Sequence, residues 1–236
     1  MEIQEGIVLS VTDYDERDGL VTVFFKDGRV MSIYAQGIQN SDSKNRLNLM
    51  QFSVVELEYF QKKDRNKAKL MRSITLIEPT MKSLADIHLL VGLSSLIDFR
   101  LAAGTRVYEL FRFIIKEIEF RSVANSLILH FLFAIMKLDN VQLKFNECAI
   151  CGNEDYLVSW DAKRGGMICE YDLKPYNKKL SKDLLEKIRE INFEKDFNKL
   201  ESILLDYDDY KMLKENLLSY LEDILGLYVE PLRKYN

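Results

Sequence analysis

The sharpest chemical signal in this chain of 236 residues comes from its three cysteines. Cys148-Ala149-Ile150-Cys151-Gly152 is followed by Gly165-Gly166-Met167-Ile168-Cys169-Glu170-Tyr171-Asp172. A Cys-x-x-Cys knuckle needs a glycine so that backbone amides can turn toward both sulfurs, and Gly152 stands just after the first pair. Two such knuckles about 15–20 residues apart make a zinc ribbon. Here Asp172 takes the place of the fourth thiolate, and a carboxylate oxygen can ligate zinc at about 2.0–2.2 Å. The pattern predicts a structural Cys3Asp zinc site formed by Cys148, Cys151, Cys169 and Asp172, weaker and more labile than a four-thiolate one. The competing reading is a decayed finger whose cysteines are small buried hydrophobes.

A second signal is electrostatic. Gln61-Lys62-Lys63-Asp64-Arg65-Asn66-Lys67-Ala68-Lys69-Leu70-Met71-Arg72 holds six cations against one anion, a local charge of +5 in a chain of net charge −4. An anionic partner must be met by such a local patch. Lys62, Lys63, Arg65, Lys67, Lys69 and Arg72, with Lys44 and Arg46 from an earlier polar loop, are the candidate DNA-binding residues. Their contact would follow the phosphate backbone and be largely blind to sequence. Tyr34, Tyr59 and Phe60 are candidate stacking residues nearby, with burial in a core as the alternative.

An enzyme reading finds little to build on. The only histidines, His88 and His130, lie on helical patterns, where a structural role is expected. No nucleophile elbow, P-loop or His-containing metal motif occurs. The acidic clusters Asp206-Tyr207-Asp208-Asp209 and Asp13-Tyr14-Asp15-Glu16 read as a helix start and a turn. No stretch reaches the roughly 18 uncharged residues of a membrane span, and the N-terminus lacks the pattern of a signal peptide. A cytoplasmic, non-enzymatic protein is expected, with grouped thiols pointing to metal rather than to disulfides.

Two kinds of element must position these residues. Residues 1–78 alternate with a period of two: Ile7-Val8-Leu9, Leu20 to Phe25, Val30 to Ala35, Val54 to Phe60 and Leu70 to Ile77. Lys26-Asp27-Gly28-Arg29 supplies a tight hairpin turn. Five short strands with a longer connection after the third suit an OB barrel, with an SH3-like barrel as its rival. From Lys82 the period becomes about 3.6. Ser83 is the expected N-cap with Asp86 three residues on, and Leu84, Ile87, Leu90 and Val91 form the first stripe. Tyr108, Phe111, Ile114, Ile115 and Ile118 repeat the spacing, as do Leu127, Phe131, Ala134 and Leu138, and later Leu184, Leu185 and Ile188. The fold class expected is a multidomain α+β chain: an OB barrel over 1–79, a helical bundle over 80–145 and 177–236, and a strand-poor, zinc-ribbon-like insert over 146–176.

The parts occur in a telling order: Glu5-Gly6-Ile7-Val8-Leu9, Tyr34-Ala35-Gln36-Gly37, Gln51-Phe52-Ser53, helices, the Cys148 knuckle, Gly165-Gly166, Cys169, and a terminal Tyr220-Leu221-x-x-Ile224-Leu225-Gly226 helix. Taken together they resemble the RecO family of bacterial DNA repair proteins along nearly the whole chain. The resemblance implies an N-terminal OB-fold, a helical domain and, in many members, a four-cysteine zinc finger, from which Asp172 departs. It further implies a recombination mediator that binds single- and double-stranded DNA and engages the acidic, aromatic-ended tail of single-stranded DNA-binding protein. Such a mediator joins RecR, helps RecA displace the coat and anneals complementary strands. Arg100, Arg106, Arg112, Lys116 and Arg121 are candidates for the partner-binding rim of the helical domain. The alternatives are an OB-fold RNA-binding or ribosome-associated module and a pure protein scaffold.

Overall fold

The computed structural model describes residues 1–61, 68–98, 100–120, 122–227 and 229–235. The chain packs as two compact units, Met1–Ser122 and Val123–Asn236.

In the first unit, β1 (Glu2–Asp13), β2 (Gly19–Phe25), β3 (Val30–Ala35), β4 (Val54–Gln61) and β5 (Ala68–Ile77) close into a barrel of order β1-β2-β3-β5-β4. All pairings are antiparallel except that of β3 with β5, and β1 closes the barrel onto β4. This is the OB order, reached because β1 is long enough to pair with β2 along one half and β4 along the other. Alternation sends Val8, Val21, Val23, Phe25, Ile33, Val55, Leu57, Tyr59 and Leu70 inward, where they fill the barrel. Leu49, on a short 3-10 turn, joins that core.

The Asp27-Gly28 turn forms as the sequence requires, with Gly28 at φ 90° and its N–H on the Phe25 carbonyl at 2.8 Å. Its surroundings add a second demand. The Gly28 carbonyl accepts Ala103 N–H at 2.8 Å, and Val30 N–H reaches the Leu101 carbonyl at 2.9 Å, so the entry to α2 runs against the turn.

Helices α1 (Leu84–Asp98) and α2 (Gly104–Phe120) belong to this same unit. Ser83 Oγ accepts Asp86 N–H at 3.1 Å while Asp86 Oδ2 accepts Ser83 N–H at 2.9 Å, a reciprocal capping box. The stripe beyond it is shifted from expectation. Leu84 and Ile87 are exposed, and burial falls on Leu89, Leu90, Leu93, Leu96 and Ile97. This helix is apolar nearly all round, so periodicity alone does not set which face turns inward. On α2, Tyr108, Phe111, Ile114, Ile115 and Ile118 are all buried as expected. Tyr108 meets Phe24 edge-on with centroids 5.4 Å apart, and Phe111 meets Phe52 at 6.3 Å.

The second unit is built on α3 (Asn125–Leu138), buried from Ser126 to Phe133. Around it lie α4 (Lys182–Phe193), α5 (Phe197–Ser202) and α6 (Tyr207–Leu225), with the short α7 (Glu230–Lys234) last. Ser126 Oγ donates to the Leu200 carbonyl at 2.6 Å, and the buried His130 ring meets the Ile191 carbonyl at 2.5 Å, which gives that histidine its structural role. Asp206 caps α6 by accepting Asp209 N–H at 2.9 Å, so its acidic cluster is the helix start it resembles. The region read as strand-poor carries a two-stranded antiparallel sheet of β6 (Leu157–Asp161) and β7 (Gly166–Cys169). Among the described residues no helix is long and apolar enough to cross a membrane.

Candidate functional site: a cationic barrel edge and a three-cysteine knuckle

The cationic run lies on the connection between β4 and β5. Lys62, Lys63, Arg65 and Lys67 fall outside the described residues. The strand that follows presents Lys69 and Arg72 to solvent. Lys69 Nζ donates to Gln36 Oε1 at 2.7 Å, and Arg72 pairs across the sheet with Glu58. The Lys44–Arg46 loop is fastened beside them. Asn45 Oδ1 accepts both the N–H (2.9 Å) and the hydroxyl (2.8 Å) of Ser73, and Asn48 Nδ2 donates to the Ser73 carbonyl at 2.8 Å. Lys44 and Arg46 are exposed on either side of Asn45, one strand residue from Arg72. These asparagine clamps were not legible as such in the sequence; Asn flanked by loop cations and followed by a short 3-10 turn was the only signal.

The three stacking candidates separate. Tyr59 is fully buried in the barrel, its ring 5.5 Å from Phe25 and its hydroxyl shared between Glu2 (2.8 Å) and Gln4 (3.0 Å), so it cannot stack on a base. Phe60, its neighbour, must face the other way and is 49% exposed, opposite Lys69. Tyr34 is half-buried with Tyr14 edge-on at 5.7 Å, and its hydroxyl donates to Asp18. Gly37 N–H also donates to Asp18, at 2.6 Å. These two donors hold the Asp18 carboxyl below its ordinary range, and the same bond pushes the Tyr34 hydroxyl up to about 12. The end of β1 and its connection to β2 carry Asp13, Asp15, Glu16 and Asp18 against Arg17 alone. Asp15 Oδ1 shapes it by accepting Arg17 and Asp18 N–H at 2.9 and 2.8 Å.

Of the helix cations, Arg112 Nε is engaged at 3.0 Å with Glu5, which also accepts the Tyr108 hydroxyl at 2.9 Å. Arg100 Nε donates to the Leu96 carbonyl at 2.9 Å. Arg106 is half-buried and Lys116 exposed on α2, while Arg121 falls outside the described residues.

The knuckle brings its four expected donors together. One ligand atom each from Cys148, Cys151, Cys169 and Asp172 lies within 4.8 Å of the others. Asp172 Oδ2 is 3.3 Å from the sulfurs of both Cys148 and Cys169, and Cys151 Sγ is 3.6 Å from Cys169 Sγ. A tetrahedral ion with bonds of about 2.3 Å to sulfur and about 2.0 Å to oxygen gives edges of about 3.5 to 3.8 Å, so the donor set fits a metal ion.

Backbone geometry holds these donors in place. Gly152, at φ 76°, donates to the Cys148 carbonyl at 3.0 Å and closes the first turn. Gly166, at φ 131°, lies so close to Lys144 that an added Cβ would be 2.1 Å from its carbonyl oxygen. That close approach lets Met167 N–H reach the Lys144 carbonyl and Ala149 N–H the Met167 carbonyl, both at 2.8 Å. For the Cys148 thiol, burial pushes upward but is outweighed by backbone N–H groups of Cys151, Cys169 and Ile150, which leave it below its ordinary value. Cys151 is pushed up to about 12, first by its hydrogen bond to Asp172, whose own carboxyl is held low by the three thiols.

A closed OB-order barrel followed by a helical unit with a metal-fitting knuckle defines a modular protein of the OB-fold class. Comparison with known sequences narrows the class. The family model described as Recombination protein O N terminal matches residues 1–80, and the one described as Recombination protein O C terminal matches residues 94–232. The chain is similar to the DNA repair protein RecO of Mesoplasma florum, at 21% identity over 97% of this chain and 88% of that protein. It is similar to the proteins of the same name from Bacillus subtilis, at 21% over 97% and 91%, and Caldanaerobacter subterraneus, at 24% over 77% of each. The chain belongs to the RecO family, and its role lies in DNA repair and recombination.

Proposed function

We propose that the chain is a non-enzymatic recombination mediator of the cytoplasm and nucleoid. It binds single- and double-stranded DNA, engages RecR and the tail of single-stranded DNA-binding protein, promotes RecA loading and anneals complementary strands. The observation that carries this reading is the closed OB-order barrel at the N-terminus, with Lys69 and Arg72 exposed on β5, Lys44 and Arg46 exposed in a loop fastened to Ser73 of that strand, and Lys62-Lys63-Asp64-Arg65-Asn66-Lys67 as the sequence between β4 and β5. OB barrels grip nucleic acid with the face of strands two and three and with the loops between strands one and two and between strands four and five, and the β4–β5 connection is the second of those loops. Such work needs competing contacts rather than bond making. Lys116, exposed on α2, and the half-buried Arg106 are the helix cations that fit a partner-binding rim, while Arg112 serves Glu5.

In the same reading the Cys148, Cys151, Cys169 and Asp172 donors hold a structural zinc ion. The metal would supply cross-linking of the first knuckle to β7 and the turn after it. All four donors come from the protein, so no position is left for substrate.

The test is replacement of Lys62, Lys63, Arg65 and Lys67 by glutamate, with DNA binding measured at two salt concentrations. About five neutralised phosphates on a single strand give a salt slope of about −3.5, and the variant should lose most of it. Unchanged affinity would remove the loop from the account. A preference for RNA over DNA of equal sequence would favour the ribosome-associated alternative.

A further inference from the structure

The knuckle presents three tyrosines to solvent: Tyr156, Tyr171 and Tyr176 are 63%, 74% and 73% exposed. Tyr171 stands between the donors Cys169 and Asp172, and Tyr156 meets it edge-on with centroids 6.0 Å apart. Tyr156 has φ 55°, in the left-handed region that a tyrosine rarely adopts, while its carbonyl accepts Glu170 N–H at 2.9 Å. Backbone strain of this kind persists where the surroundings impose it, and it collects at functional surfaces. Arg164 links the third ring. Its guanidinium lies 5.8 Å from the Tyr176 centroid, and Nη1 donates to the Asp172 carbonyl at 3.4 Å.

The chain after the knuckle supplies charge. Residues 173–182 contain Lys174, Lys178, Lys179 and Lys182 and no acid, and all four lysines are exposed. This segment is fastened along β6 by Ser159 Oγ on the Lys178 carbonyl (2.7 Å), Leu180 N–H on the Val158 carbonyl (2.8 Å) and Asn177 Nδ2 on Asp161 (3.3 Å). Lys179 pairs with Glu170 at 2.5 Å, an exposed ion pair that a phosphate can replace at little cost, and Lys178 lies 3.9 Å from the half-buried Asp209.

We propose that this face is a second single-stranded DNA contact, in which bases stack on Tyr156, Tyr171 and Tyr176 while Lys174, Lys178, Lys179 and Lys182 meet phosphates. Rings exposed beside cations match unpaired bases, whose faces a duplex hides. An acidic peptide would use the lysines and leave the ordered tyrosines without a role. The inference rests on the chain binding DNA and is independent of the barrel loop.

The test uses the full chain with labelled oligo(dT), the same strand as duplex, and oligo(rU). Joint replacement of Tyr171 and Tyr176 by alanine should weaken oligo(dT) binding about tenfold or more and duplex binding less, while phenylalanine at both positions restores it. Replacing Lys174, Lys178 and Lys179 by glutamine should lower the salt slope by about 2. Metal content and circular dichroism establish that each variant folds. In the unaltered protein, photocrosslinking of an iodouracil-substituted strand should label the knuckle tyrosines, a readout that needs no variant. Unchanged oligo(dT) affinity in a folded variant overturns the proposal, as do crosslinks confined to residues 1–80, a preference for oligo(rU), or an acidic peptide that occupies the lysines while oligo(dT) binding stays unchanged. If the unaltered protein binds no DNA, the mediator reading falls as well, so the two failures are distinct.

Discussion

Gly28 and Gly104 touch backbone to backbone: a Cβ built on Gly28 would lie 2.7 Å from the Cα and the carbonyl carbon of Gly104. The first glycine closes the β2–β3 hairpin and the second begins α2, so one contact fixes both the turn and the start of the helix that covers the barrel end. Gly28→Ala adds a side chain where the helix backbone stands, at a φ of +90° that alanine avoids. We expect a loss of about 2 kcal/mol or more in urea unfolding. Native stability in that variant would mean the hairpin can move off the helix without penalty.

Asp172 sets the strength of the knuckle. Asp172→Cys supplies a fourth thiolate and should slow metal release to a chelator, whereas Asp172→Ala should lose the metal during purification. Metal analysis of both variants against the unaltered protein decides between a working site and a vestige. Protein that folds normally without zinc would end the structural role.

The Asp18–Tyr34 pair predicts how the barrel responds to pH. Asp18 ionises below its ordinary value in the folded state, so its contribution is complete above about pH 4 and fades as the pH falls through the lowered value. Tyr34 is raised to about 12, so its contribution is complete below about pH 10 and is lost as the pH climbs toward 12. In Asp18→Asn the Tyr34 ring should titrate closer to the ordinary tyrosine value, as read by NMR of ring-labelled protein. A titration that does not move would show the two side chains uncoupled in solution.

The acidic β1–β2 connection should oppose DNA binding. Glu16 makes no hydrogen bond that shapes the turn, so Glu16→Lys changes charge with little effect on structure. Tighter single-strand binding and a salt slope steeper by about 0.7, the value of one added phosphate contact, are expected from a binding titration. Unchanged binding and an unchanged slope would place the strand away from this loop.

The sequence showed local features well and relations between distant ones poorly. Strand alternation, the Asp27-Gly28 turn and the Ser83–Asp86 box are each written within a few residues and each formed as read, while Cys148, Cys151, Cys169 and Asp172, spread over 25 residues, come together as donors that fit a metal ion. Strand order is different, because the parallel pairing of β3 with β5 follows from barrel closure, which no short window encodes. Tyr59 and Phe60 show what one rule could have added. Adjacent strand residues face opposite sides, so only one could ever have reached a strand of DNA. The phase of α1 failed for lack of a polar face, and the knuckle's tyrosines and lysines escaped notice because they are scattered over 156–182 and meet only through the β6–β7 fold.

The two connections with which OB barrels bind their ligands differ here in sequence charge, Asp15, Glu16 and Asp18 against Arg17 in the first and Lys62, Lys63, Arg65 and Lys67 against Asp64 in the second. In the DNA-binding role proposed above, a symmetric cleft would let a polyanion settle at its centre, whereas this difference in charge would tilt the field a strand meets. An incoming strand would then be pushed from one connection and drawn to the other before any base is touched, so that its berth would be chosen by long-range force rather than by fit.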